Sequence, residues 1–193
     1  MSVTPTPEFN SPHSRGNRLG RAAWGVVWLV LFRPSPRPLH RWRILLLRAF
    51  GARAAWCARV YPRARVWAPW NLTLDRRATI ADDVEVYNVA PVRLGEHSTV
   101  SQYSYLCAAT HDFEEVRHPL VARPITIGRR CWLAADVFVA PGVTIADGTV
   151  VGARSGVFED LPPWSVAAGT PARVLRPRKL GPEDFGEGPQ PPR

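Results

Sequence analysis

An aliphatic residue recurs every six positions through the second half of the chain: Ile127, Leu133, Val139, Ile145, Val151 and Val157. The residue after each is small in five of six cases (Gly128, Ala134, Ala140, Ala146, Gly152), with Phe158 the exception. Four positions after each of the first five stand Cys131, Val137, Val143, Thr149 and Ser155, all small or β-branched. An amphipathic helix repeats at about 3.6 residues and a half-buried strand at 2, so neither accounts for this period. With aliphatics at roughly a quarter of positions, six in register arise by chance about once in four thousand tries per frame. A short period carried this far predicts the stacked coils of a β-solenoid. Each unit is then a short strand plus a corner, with its aliphatic side chain on the coil axis. No unit buries its apolar face alone, so several coils must stack and the ends need caps.

The frame extends upstream with interruptions. Leu74, Ile80 and Val86 are six apart, as are Leu94, Val100 and Leu106. Between these triplets the frame slips by two residues, across Val89 to Val92, which a coil corner can absorb. The break between Leu106 and Ile127 is larger and predicts a loop projecting from the solenoid.

The length of 193 residues suits one domain with terminal additions, and a hydrophobic share of 46% suffices for a core. The net charge of +9 favours anionic partners, and it is unevenly spread: residues 15–65 carry twelve Arg and no Lys, Asp or Glu. Nucleic-acid binding, which charge alone would suggest, lacks any recognition motif. Cys57, Cys107 and Cys131 form no metal-binding spacing, and an odd count argues against a disulfide framework. Free thiols suit a reducing, cytoplasmic compartment.

Two segments form an N-terminal arm. Ala22 to Phe32 is almost purely apolar but too short to span a bilayer, which takes about 20 residues. The Pro-rich stretch after it is no signal-peptide cleavage site. His40 to Phe50 reads as a short basic amphipathic helix. Either the arm packs on the solenoid or a neighbouring subunit as a cap, or residues 18–50 contact the inner face of the membrane peripherally. In the second case Trp24, Trp28 and Trp42 would lie at headgroup level, with Arg on anionic lipid.

The loop from Cys107 to Pro124 holds His111 and His118, and His111 lies close to the last strand before the break. A loop on a rigid scaffold is where a ligand site is built. A neutral imidazole, with an ordinary pKa of ~6.5, can take a proton from a hydroxyl at neutral pH. Among the alternatives, the γ-type carbonic anhydrases hold zinc between solenoid subunits with three histidines. The spacings of His97, His111 and His118 do not resemble that pattern, so no metal is expected. A non-catalytic, membrane-associated scaffold on the same frame is the alternative to an enzyme.

Six segments stand out: residues 31–39 (LFRPSPRPL), 67–72 (WAPWNL), 100–106 (VSQYSYL), 110–112 (THD), 132–145 (WLAADVFVAPGVTI) and 168–173 (AGTPAR). They resemble the left-handed β-helix hexapeptide-repeat acyltransferases, and most of all their colanic-acid-biosynthesis acetyltransferase branch. The resemblance implies an all-β fold, a three-sided left-handed parallel β-helix with an N-terminal helical arm. It also implies a homotrimer with sites between subunits, and acetyl-CoA as acyl donor. His111 would be the general base for direct O-acetyl transfer to a sugar hydroxyl of an exopolysaccharide or a lipid-linked precursor. Asn88 and Asp112 would meet the acceptor, although Asn88 also suits a coil corner and Asp112 could instead orient His111 or cap the loop. Trp132, Ala135, Ala153, Arg173 and Arg176 would bind CoA, the arginines at its phosphates, with Arg178 and Lys179 beside them. Several members of that family carry a Lys or Arg two positions after the place of Val157, where this chain has Glu159, and Arg154 would be the candidate to substitute for it. The expected organisation is a disordered tail over 1–17 and the arm over 18–62. The β-helix follows over 63–178, with its catalytic loop at 107–126, and a second disordered tail covers 179–193.

Overall fold

The structure, a computed structural model, describes residues 14–179. The expectations for 1–13 and 180–193 lie outside them. Short parallel strands stack in three columns, forming a β-solenoid of about six turns. The first face stacks Arg53–Ala54, Leu72–Leu74, Val92–Leu94, Ile125–Ile127 and Thr144–Ile145. The second stacks Arg59–Val60, Thr79–Ile80, Thr99–Val100, Trp132–Leu133, Val150–Val151 and Ser165–Gly169. The third stacks Arg65–Val66, Glu85–Tyr87, Tyr105–Cys107, Phe138–Val139 and Gly156–Val157. Register places each repeat aliphatic over its counterpart: Leu74 on Leu94, Leu94 on Ile127, Ile127 on Ile145. All of these side chains are buried.

The frame runs further than the longer aliphatics reveal. Ala54, Val60 and Val66 form a first coil, and Leu161 and Ala167 continue the stack beyond Ile145 and Val151. The solenoid therefore begins at Arg53, ten residues before the expected start. Small Ala54, Ala58 and Ala64 on the inner side alternate with Arg, which masks the pattern in sequence. The two-residue slip recurs from Val66 to Leu74 as from Val86 to Leu94, always at the corner between third and first faces. Asn88 sits in this corner.

The second small position of each repeat is also internal. Ala78, Val84, Cys131, Val137 and Val143 are buried at the corners. Buried serines there bond to the next coil: Ser98 Oγ donates to the Gly128 carbonyl at 2.6 Å and accepts from the Cys131 N–H at 2.8 Å. The residue before each internal position turns left-handed, as at Arg77, Asp83, His97, Tyr103 and Asp136, with φ between 55° and 64°. The ladders on either side hold these non-glycine residues in that region. Close approach sets the glycines at one corner: a Cβ on Gly95 would collide with the Gly128 carbonyl. Burial pushes the Cys131 thiol up to about 11, so it stays protonated in the core.

The arm caps the first coil. Helix α1 spans Arg15–Val27 and runs on as a π-helical turn, Trp28–Phe32, and helix α2 spans His40–Ala49. Ser14 caps α1 by accepting from the Asn17 N–H at 3.2 Å, so helix occupies residues 15–17, expected to be disordered. Phe32, Ile44 and Leu47 are buried over the open end of the stack. Edge carbonyls left by the first coil find donors in the arm: Trp24 Nε1 donates to Val66 O at 2.7 Å and Trp28 Nε1 to Ala64 O at 2.8 Å. Arg43, wholly buried, donates to Val60 O at 2.6 Å, Ser35 Oγ at 2.8 Å and Pro36 O at 2.9 Å. A buried guanidinium is tolerated because oxygens surround it. At the other end, Ala172–Pro177 folds back antiparallel on Ser165–Gly169 and closes the second face.

Asp82 ties arm to solenoid. Its Oδ2 accepts from Arg37 at 2.6 Å and its Oδ1 from the Arg63 N–H at 3.0 Å. Burial alone would raise its pKa, but the Arg63 and Arg37 hydrogen bonds outweigh burial and hold it below the ordinary value. Asp82→Ala is expected to lower unfolding free energy by about 1–3 kcal/mol in urea at neutral pH. Because the folded pKa is depressed, this contribution is present above the ordinary carboxylate pKa of ~3.9 and vanishes as pH falls through the folded value. The wild-type advantage should therefore close in acid. An advantage that persists unchanged at pH ~2 would refute this role for the carboxylate.

Candidate active site

The long break in the frame is a β-hairpin. Ala109–His111 pairs antiparallel with Leu120–Ala122, with His111 opposite Leu120. It leaves the solenoid at the corner between third and first faces, after Tyr105–Cys107 and before Ile125–Ile127. Its base is held by the Arg123 N–H donating to Ala108 O at 3.1 Å and by Cys107 Sγ donating to Ala109 O at 3.1 Å.

The hairpin tip orients one imidazole. The Asp112 N–H donates to Pro119 O at 2.9 Å, and Asp112 Oδ1 accepts from the Glu114 N–H at 3.0 Å. The His118 N–H donates to Glu115 O at 2.8 Å, with His118 at a positive φ of 42°. These bonds aim the His118 carbonyl at His111, whose Nδ1 lies 2.6 Å from it. A carbonyl oxygen only accepts, so Nδ1 carries the proton and neutral His111 keeps its lone pair on Nε2. The ring is exposed. In this structure the Asp112 carboxylate closes the hairpin tip through the Glu114 N–H.

Asn88 is spent inside the corner. It is fully buried, its Oδ1 accepting from the Ala68 N–H at 2.9 Å and its Nδ2 donating to Ala68 O at 2.6 Å. Asn71 Nδ2 in turn donates to Val89 O at 2.7 Å. The structure corrects the expectation of an acceptor contact: with both amide atoms engaged, Asn88 locks coil to coil where the two-residue slip needs it.

The other expected residues line a different edge. Trp132 stands half exposed on the second face, its Nε1 donating to Ser101 Oγ at 3.1 Å. Ala135 and Ala153 stack at the corner between second and third faces, where the Arg154 N–H donates to Ala135 O at 2.9 Å. Thr170 follows in the same column, accepting from the Gly156 N–H at 3.0 Å. Small side chains leave this backbone open to a ligand. Further along lie Arg173 and Glu159, paired at 2.9 Å, and the exposed Arg176. Arg154 faces Asp136 at 3.6 Å. Arg178 turns inward, donating to Arg130 O at 2.7 Å and Gly148 O at 2.8 Å, so it fastens the segment after the return strand rather than extending the basic cluster. Within one chain, His111 and the Ala135–Ala153 column therefore occupy different corners of the prism. Among the described residues no group of three His, Cys, Asp or Glu could hold a metal ion.

Two features have no counterpart in the sequence reading. The His118 carbonyl is a backbone atom and leaves no mark in sequence. An aromatic column also runs along the outside of the third face through Trp67, Tyr87, Tyr105, Phe138 and Phe158, with successive ring centroids 5.5 to 6.4 Å apart. Burial, with contact to Cys107, pushes the Tyr105 phenol well above its ordinary value. Aromatics beside each inward aliphatic were the available signal.

No family model matches the chain. It is 48% identical over 163 residues to the "Putative colanic acid biosynthesis acetyltransferase WcaF" of Escherichia coli K12, covering 84% of this chain and 90% of the relative. The chain belongs to the hexapeptide-repeat acetyltransferases. Galactoside O-acetyltransferase of Escherichia coli K12 is 36% identical over 112 residues, 57% of this chain and 50% of that protein. A hexapeptide-repeat acetyltransferase of Vibrio cholerae, solved with acetyl-CoA, superposes with a TM-score of 0.78 at 26% identity, covering 90% of this chain and 94% of that one. The overlap with that chain spans the solenoid described above.

The hairpin geometry makes a spectroscopic prediction. Long-range nitrogen-15 spectra of the neutral imidazole should show the Nδ1–H form of the His111 ring. A dominant Nε2–H form would refute the orientation described.

Proposed function

We propose that this chain transfers an acetyl group from acetyl-CoA to a sugar hydroxyl, with His111 as general base. The observation that carries the reading is the bond from His111 Nδ1–H to the His118 carbonyl, which leaves a basic Nε2 open on an exposed hairpin. Nε2 takes the acceptor hydroxyl proton as its oxygen attacks the thioester carbon. The tetrahedral intermediate collapses with loss of the CoA thiolate, which recovers that proton from the imidazolium. No acyl-enzyme is needed. A sugar acceptor is supported by the names of the relatives, which concern colanic acid and a galactoside. An exopolysaccharide or its precursor is the substrate class this favours.

The donor lies along the corner of Ala135, Ala153 and Thr170, where small side chains permit close approach, with Trp132 at its side. Its phosphates reach Arg173 and Arg176. Because His111 and this corner are on different edges of one prism, the reading requires a second chain. A closed trimer, in which the hairpin of one subunit meets the corner of the next, satisfies the requirement. The exposed Phe113 and Val116 at the hairpin tip support a neighbour there, since a lone chain gains nothing by presenting them.

Thiol release from acetyl-CoA with a panel of sugar acceptors tests the reaction. His111→Ala should lower kcat by about 10²–10⁴ with little change in the KM for acetyl-CoA. Full activity in that variant would end the general-base role. The shared site has a separate test. His111→Ala and Ala135→Trp should each be inactive, yet trimers reassembled from an equal mixture should regain about a quarter of wild-type activity. No recovery would mean that one chain supplies both halves.

Glu159 competes with the donor for Arg173. Glu159→Gln should lower the KM for acetyl-CoA by up to about 5-fold, as release of an exposed ion pair allows. Arg173→Ala should raise it about 10-fold or more. A KM that responds to neither change would remove Arg173 from the phosphate site.

A further inference from the structure

Helix α1 and the π-helical turn that continues it form one N-terminal helix that is apolar on two opposite sides, and only one of these is packed on the solenoid. Trp24 and Phe32 face the solenoid and are buried. The other side carries Leu19, Ala22, Ala23, Val26, Leu29 and Val30, spaced by three and four as one helical stripe. Leu19, Val26, Leu29 and Val30 are 72%, 63%, 57% and 59% exposed. The exposed surface continues onto α2 through Trp42 and Leu45, and Trp42 Nε1 donates to Leu31 O at 3.1 Å, which fixes the indole beside the stripe.

The charge around this stripe is of one sign. Arg15 and Arg33 lie in its helical phase at either end, and Arg18 and Arg41 are exposed alongside. The whole stretch 15–65 contains twelve Arg and no acidic residue. A second copy docked here about a two-fold axis would bring arginine against arginine with no carboxylate to relieve the repulsion. An anionic lipid surface supplies both missing complements, apolar depth for the stripe and negative charge for its rim. Among the described residues no helix is long and apolar enough to cross a membrane, so the contact lies in the interfacial plane.

We propose that the outer stripe of α1 and its π-helical turn, with Trp42 and Leu45, seats this protein on an anionic lipid bilayer surface. The inference rests on the arm alone and is independent of the acetyl-transfer reading. Its elements divide the work: Leu29 and Val30 enter the acyl boundary, Trp42 lies at headgroup depth, and the arginines pair with lipid phosphates.

Sedimentation of the full chain with vesicles tests this. Vesicles of about one-third phosphatidylglycerol in phosphatidylcholine should bind the protein at low salt, and pure phosphatidylcholine should bind it at least about 10-fold less. Binding should weaken at about 0.5 M salt. Paired Leu29→Asp and Val30→Asp changes, both at exposed positions, should cut binding about 10-fold or more. They should leave the circular dichroism spectrum, the subunit number by light scattering and thiol release with a soluble acceptor unchanged. Paired Arg18→Glu and Arg33→Glu changes should remove the low-salt binding without touching the apolar stripe. A wild-type protein that stays in solution with anionic vesicles at low salt overturns the proposal. So does a change of subunit number in the Asp pair, which would assign the stripe to a second copy.

Discussion

Everything in this molecule depends on the coil-to-coil register of its internal side chains. Ile127 lies on Leu94 and beneath Ile145, and each of these has its backbone tied into the same parallel ladder. Neither interaction stands without the other: a strand of two or three residues has too few hydrogen bonds to persist alone, and an isolated aliphatic has nothing to pack on. Stacking solves both problems at once, but only for interior coils. The first and last coils each present one row of unpaired groups and one uncovered apolar layer.

The two ends meet that demand by different means. At the start, the arm brings indole and guanidinium donors to Val66, Ala64 and Val60 and lays Phe32, Ile44 and Leu47 across the open layer. At the finish, the chain pairs with itself, Ala172–Pro177 on Ser165–Gly169, and Arg178 reaches back to two corner carbonyls. The arginine excess of residues 15–65 is thus partly structural, since Arg43 and Arg37 are consumed in joining arm to coil. The exposed remainder gives the arm its cationic rim.

How much of this is legible in sequence follows from which atoms carry each feature. The frame from Leu74 to Val157 is legible because long aliphatics fill the axis there. The first coil escapes notice because Ala54 and Ala64 fill it with less side chain, among arginines that suggest a surface. His111 stands out as a titratable residue at the break, but the partner that sets its tautomer is a main-chain oxygen seven residues on. Asn88 shows the opposite limit: a polar residue at a corner suits either a ligand or a lock, and only the distances to Ala68 decide. Glu159 is visible as a departure from the family pattern, while its pairing with Arg173 needs the fold to bring the two together.

The same constraint explains why reactive groups stand where they do. On each face the backbone is committed to the ladder and alternate side chains to the axis, so a strand has little to give to a substrate. Corners and interruptions are the parts released from that commitment. A corner offers backbone beneath a small side chain, as at Ala135 and Ala153, but no base. The hairpin offers an imidazole held firmly by its own tip, but no wall. A prism separates the two kinds of position around its axis, and one chain cannot fold one edge onto another without breaking register. The proposed reading meets this separation by pairing chains, with the interruption in one solenoid set against the corner of the next.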